Sequence, residues 1–142
     1  PAGFWHAVDV HDATQPLIAT HTGVCGVRPH WRNLDDAQVK AVADTGGVVG
    51  IIFAGPFLRR KGGPRDEGMI LEHMEHVMNV AGEGAVAIGS DYDGAITPPR
   101  PLRNGTHYAR LVQGMLERRW SEERIRGVLG LNFLECFRRL RP

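Results

Sequence analysis

Pro16-Leu17-Ile18-Ala19-Thr20-His21 is the stretch that decides the fold of this 142-residue chain. Leu17 to Thr20 are apolar or β-tolerant and follow a proline that halts the preceding helix, so they read as a short buried strand. His21 stands at the carboxyl end of that strand. A loop rich in Gly and Pro runs on to Arg32-Asn33, and Asp35 or Asp36 opens a helix. Strand, polar residue, loop and helix make the repeating unit of an α/β protein. In barrels and doubly wound sheets, such strand ends are where catalytic groups collect.

Working outward, the same layout returns twice. Upstream, Phe4 and Val8 share one face of a helix that frays through Asp9 to Asp12. Downstream, Val39, Val42 and Ala43 give the Asp35 helix an inward face, and Gly46-Gly47 ends it. Val48 to Phe53 is apolar on both faces, as a central parallel strand must be. A tight turn, Ala54 to Phe57, and a basic, Gly-rich loop, Arg59 to Asp66, lead to a helix over 66–81 with Ile70, Met74, Val77 and Ala81 on one stripe. Ala85 to Gly89 is the third strand, closed by Ser90-Asp91-Tyr92-Asp93-Gly94. Helices follow from Thr106 to Arg119, from the N-cap Ser121, and from Asn132, with Gly130 as the break before the last. Alternation without any hairpin signal predicts parallel strands. Three strands are few for such a sheet, so residues 1–142 read as a single partial domain, the C-terminal portion of a larger α/β protein with open strand edges.

Composition narrows the function classes. With 42% hydrophobic and 23% charged residues the chain can build a core. A formal net charge of +1 argues against a dedicated nucleic-acid binder, since no large basic excess exists to release counterions. The run Arg138-Arg139…Arg141 reads as the solvated end of a last helix, where cations suit the dipole. Two distant cysteines, Cys25 and Cys136, form no disulfide framework and fit a reducing, cytoplasmic setting. No apolar run reaches transmembrane length, and the first residues do not form a signal peptide.

Several residues carry chemistry. A neutral imidazole at a strand end, as at His21, is a common metal donor, although a lone loop histidine is also ordinary polar surface. Asp91 and Asp93 straddle a tyrosine, so one carboxylate can face the strand-end cleft; the alternative is plain turn chemistry ahead of Gly94. Arg32 can clamp a carboxylate with two parallel hydrogen bonds, or serve only as a loop cation. His73 and His76, three apart on a helix, read as surface or interface residues because no third ligand stands near them. His11-Asp12 sits at a helix end, not a strand end, and is set aside. Phosphate-loop, dinucleotide-loop and nucleophile-elbow motifs are absent.

Taken together these stretches resemble the membrane (renal) dipeptidase family of zinc metallopeptidases. Pro16 to His21 is similar to the family's "PVIASH" strand, and His30-Trp-Arg-Asn-Leu-Asp-Asp36 to "HPRNLTD". Gly46-Gly-Val-Val-Gly50 with Phe53 resembles "GGVIGVNF", Asp91-Tyr-Asp-Gly94 resembles "SDFDG", and Gly130-Leu-Asn-Phe-Leu134 resembles "GGNFLRVF". The resemblance implies a TIM-type (β/α)8 metal-dependent hydrolase barrel, of which this chain would supply the last three strands. It implies His21 and Asp91 as metal ligands and Asp91 also as the catalytic acid–base. Arg32 and Phe57 would bind substrate, and two zinc ions would be the cofactors. The implied reaction is dipeptide hydrolysis by a longer parent chain, with the isolated segment inactive. The implied partners are a dipeptide and the N-terminal half of the barrel, with a homo-oligomer also open. Ile52 and Ala54 depart from the family's usual asparagine and tyrosine, which bears on substrate preference. Two alternatives stay open: a metal-dependent amidohydrolase acting on a cyclic amide or lactone, and a non-catalytic α/β module that binds a partner through its sheet edge.

Overall fold

Hydrophobic spacing and helix caps set most of the architecture. The computed structural model describes residues 2–140, so Arg141 of the basic run lies outside the described residues. The elements are α1 (Ala2–Val10), β1 (Ile18–Thr22), α2 (Asp36–Asp44), β2 (Val48–Ile51), α3 (Gly55–Leu58) and α4 (Gly68–Ala81). They continue with β3 (Val86–Ile88), α5 (Tyr108–Glu117), α6 (Glu122–Arg126) and α7 (Asn132–Leu140). The strands form one sheet in the order β1-β2-β3, and both pairings are parallel. The sequence predicts this α/β class and parallel pairing.

Each residue of β2 is buried, which is why a run of β-branched side chains occupies the middle of the sheet. Burying one such side chain stabilises by roughly 1.5–3 kcal/mol. Ile70, Met74 and Val77 of α4 and Val39 and Val42 of α2 complete the core on one face of the sheet. Asp35 caps α2 through a reciprocal pair, its carboxylate accepting from Gln38 N while the Gln38 side chain accepts from Asp35 N. The Ser121 hydroxyl accepts from Arg124 N and starts α6. At the sheet's middle, a Cβ on either Gly50 or Gly89 would collide with the Thr20 carbonyl oxygen, so the strands close up only because both positions lack a side chain.

Several boundaries move for local reasons. Leu17 N donates to Thr45 Oγ1 and so stays outside the ladder, while Ile52 N donates to Thr22 O and carries β1 two residues past Thr20. Ala54 to Phe57 is not an open turn. It enters the one-turn helix α3, with Pro56 in its first turn and Arg59 N bonded back to Gly55 O. Asn104 Oδ1 accepts from Thr106 N and folds a 3-10 turn, which delays α5 to Tyr108. Gly130, at φ 172° and ψ −27°, breaks the π turn over Gly127–Leu131 as the sequence predicts, and α7 starts beyond that kink. Asn132 is the first residue of α7 and not its side-chain cap: its Nδ2 donates to Glu83 O and Val86 O beside β3. Helix α1 buries no residue fully; Phe4 packs on the core's edge and Trp5 is 40% exposed.

Candidate active-site cleft

His21, Arg32, Phe57 and Asp91 line one cleft of about 410 Å³ at the carboxyl end of the sheet. His21 reaches it from β1, Arg32 from the loop between β1 and α2, Phe57 from α3 and Asp91 from the turn after β3, and each is held by its own device. In β1 the pairing is Ala19↔Val49 and then Thr22↔Ile51, so β1 carries one more residue than β2 over this interval. That irregularity falls on Thr20 and His21, and such a bulge re-aims a side chain at a sheet end. His21 is therefore inside the strand, not just after it. Its Nδ1 lies 2.8 Å from Thr20 Oγ1, and its other ring nitrogen makes no hydrogen bond among the described residues. His21 and Asp91 do not come from adjacent strands, because β2 lies between β1 and β3.

Arg32 sits on a loop closed by a bridge between Val24 and Leu34. Its backbone oxygen accepts from Thr22 Oγ1 at 3.1 Å, and its guanidinium carbon lies 5.7 Å from the centre of the Phe57 ring. The ring holds the cation without neutralising it. Arg32 has no acidic partner among the described residues, so its donors are available to a ligand carboxylate. Buried Asn33 ties this loop to the next: its Nδ2 donates to Arg28 O and to Phe57 O, each at 2.9 Å.

Asp91 has φ 58°, Asp93 has φ 66° and Ala95 has φ 60°, three left-handed residues in one turn. Asp tolerates that region, whereas alanine is strained there, and such strain clusters at functional sites. A Cβ on Gly94 would collide with the Asp91 carboxylate, which explains glycine at that position. Tyr92 anchors the turn, its hydroxyl donating to Leu102 O at 2.8 Å and its ring packing edge-on against Phe53 and Tyr108. Burial, and then the neighbouring Tyr108, push its pKa up to about 12. Asp93 is exposed and lies outside the cleft lining.

One expectation is overturned. His73 is not a surface histidine; it is fully buried. Its Nδ1 accepts from Val24 N and its Nε2 donates to Leu58 O, both at 2.9 Å. Helix α4 is thereby bonded to the segment after β1 and to α3. These two bonds require a neutral ring with its proton on Nε2, and burial lowers the pKa to about 4. The signal was in the sequence: His73 stands three residues after Ile70, on the apolar stripe itself. His76 is half-exposed and pairs with Asp36 at 2.7 Å. Asn33 and His73 are thus positioning residues for Arg32 and Phe57.

The donor set for a metal is incomplete. His21 and Asp91 offer an imidazole and a carboxylate, and among the described residues no group of three or more His, Cys, Asp or Glu is gathered.

A histidine, an aspartate and an unpaired arginine thus share one cleft at the carboxyl end of a parallel sheet. A family model described as membrane dipeptidase, peptidase family M19, matches residues 1–141, and the chain belongs to that family. It is 37% identical over 139 residues to a Klebsiella pneumoniae protein described only as an uncharacterized protein in the pqqA 5′ region, covering 95% of this chain and 50% of that one. It is similar to a Rhodobacter sphaeroides metallo peptidase crystallised with a phosphinate mimic of the dipeptide L-Ala-D-Ala (TM-score 0.88, 31% identity, 96% of this chain and 39% of that one). A Pseudomonas aeruginosa amidohydrolase is also similar (TM-score 0.77, 28% identity, 89% of this chain and 46% of that one). The chain spans about half the length of the curated relative it matches.

Proposed function

We propose that this chain supplies the substrate-binding wall and part of the metal-binding wall of a dizinc dipeptidase built as a TIM-type barrel. The remaining strands and metal donors would come from polypeptide equivalent to the rest of its relatives' length. One observation carries the reading: His21, Arg32, Phe57 and Asp91, spread over 71 positions of sequence, share one cleft at the carboxyl end of a parallel sheet. The phosphinate dipeptide mimic held by the similar metallo peptidase supports a dipeptide as the substrate class.

In this reading Arg32 takes the C-terminal carboxylate of the dipeptide in a two-bond fork, and Phe57 keeps the guanidinium flat and backs the substrate. Asp91 holds a metal ion or moves a proton beside the scissile amide. Zinc, when bound, would polarise the carbonyl and acidify a water molecule. A catalytic zinc normally takes three protein donors, so His21 and Asp91 do not hold a two-metal centre by themselves. The free thiols Cys25 and Cys136 support a reducing, cytoplasmic setting. The exposed Phe133–Phe137 stack supports burial of α7 against the completing polypeptide or a second copy.

Likeness to the Pseudomonas amidohydrolase favours a second reading, hydrolysis of a cyclic amide. Such a substrate lacks the free carboxylate that Arg32 would clamp. The test is zinc-dependent hydrolysis by the complete gene product of dipeptides, dipeptide amides and cyclic amides. Free dipeptides should turn over, dipeptide amides should lose most of kcat/KM, and Arg32→Lys should raise KM by roughly tenfold or more with kcat little changed. Turnover of cyclic amides alone would favour the second reading.

A further inference from the structure

Beside the His21–Asp91 cleft, and sharing Pro56 and Thr97 with it, lies a second cleft of about 670 Å³. Its charged lining is Arg28, Arg59, Arg65 and Arg100, and no aspartate or glutamate lines it. Several arginines elsewhere do face glutamates, Arg60 facing Glu72, Arg110 facing Glu67, Arg118 facing Glu75 and Arg124 facing Glu83, whereas Arg32, Arg103 and Arg119 have no such partner among the described residues. The four in the cleft have no carboxylate within ion-pair distance among the described residues. The Arg28 Nε is also buried without a hydrogen-bond partner. Leaving a buried donor unsatisfied costs on the order of 1–3 kcal/mol, so a ligand that accepts from it recovers that energy.

The four guanidinium groups come from three connections. Arg28 is on the loop after β1, Arg59 and Arg65 lie between α3 and α4, and Arg100 is on the 3-10 turn after β3. Like charges gathered against low-dielectric walls repel one another and focus a positive potential outward, a cost that an anion relieves. Pro56, Pro98 and Pro99 line the same cleft and stiffen its wall, which lowers the ordering cost of binding. Asn33 bonds both the Arg28 and the Phe57 carbonyls, so the two clefts share one support.

We infer that the arginine cleft binds the oxyanion group, carboxylate or phosphate, of a ligand whose other end occupies the His21–Asp91 cleft. The inference rests on the dipeptide reading for that other end and adds the substrate class: dipeptides with an anionic side chain. Guanidinium forks match the planar geometry of such groups and hold them with paired hydrogen bonds.

Two measurements on the complete gene product test it. With metal removed by a chelator, inorganic phosphate should bind saturably at low salt, and the variant with both Arg59→Gln and Arg100→Gln should bind it roughly tenfold more weakly. Both residues are exposed, and Arg59→Gln alone serves if the pair does not fold. With zinc present, kcat/KM for Ala-Glu and for Ala-phosphoserine should exceed that for Ala-Gln by about tenfold. In the double variant these ratios should fall to near one while Ala-Gln turnover is unchanged. The larger wild-type ratio identifies carboxylate or phosphate as the preferred group. Unsaturable phosphate binding, or ratios that the variant leaves unaltered, would overturn the inference. If no dipeptide is cleaved, the catalytic reading fails, and the phosphate titration alone decides for or against the cleft.

Discussion

The segment from Gly23 to Asn33 and the segment from Asp91 to Thr97 deliver charged groups to the same cleft, and they are held in different ways. In the first, buried polar side chains do the holding: His73 bonds Val24, Asn33 bonds Phe57, and Thr22 bonds Arg32. In the second, the backbone is forced into left-handed conformations at Asp91, Asp93 and Ala95 and is pinned by the packing of Tyr92. The first invests in hydrogen bonds between side chains and backbone, the second in local strain. A substitution should therefore act on the two segments through different quantities.

The largest expected effect is on turnover from the strained segment. Asparagine tolerates the left-handed region as aspartate does, so Asp91→Asn should keep the fold while removing the charge. In the complete gene product kcat should fall by roughly two to four orders of magnitude, with the melting temperature little changed. Wild-type turnover would remove Asp91 from the chemistry. A matching loss of stability would show that the two segments are not held in different ways.

In the hydrogen-bonded segment the expected effect is on stability. His73→Leu fills a similar space but leaves Val24 N–H and Leu58 C=O unpaired, which should cost about 2–4 kcal/mol in urea unfolding. The same residue sets a pH dependence. In the unfolded chain its pKa is 6.5, and burial lowers it to about 4 in the fold. The unfolded state therefore binds the proton first as pH falls. Stability is fully present above pH 6.5 and drops by about 3 kcal/mol on the way to pH 4. His73→Leu should lack this slope; an unchanged slope would assign it to other groups. The smallest effect belongs to the strained segment again. Ala95→Gly should gain about 0.5–1 kcal/mol, because glycine adopts φ 60° without strain but loses more entropy on folding. Destabilisation instead would mean that Ala95 is not strained.

Much of this was legible in the sequence, and the exceptions share a cause. Val48 to Phe53 could only be a central strand, and Asp35 and Ser121 announced their helices through cap chemistry. The cleft residues His21, Arg32 and Asp91 were visible because they follow strand signals, and Phe57 only through the family resemblance. The bulge at Thr20–His21 was not legible, since pairing register depends on a partner 30 residues away. The role of His73 was missed because a histidine on an apolar stripe has no local signature of what its nitrogens meet. The arginine cleft was hidden for the same reason: Arg28, Arg59, Arg65 and Arg100 converge only through tertiary packing.

Gly50 and Gly89 have a consequence for how this protein would answer a saturation mutagenesis screen. Every replacement adds at least a methyl group where the Thr20 carbonyl already sits, so nearly all variants at the two positions should score as dead. Gly50 lies opposite the Thr20–His21 bulge and Gly89 two residues before Asp91, so their profiles would mimic those of reacting groups although neither has a side chain to react. Abundance measured beside activity separates the two kinds of intolerance. Variants at Gly50 and Gly89 should vanish from the soluble fraction, whereas Asp91→Asn should accumulate as inactive protein.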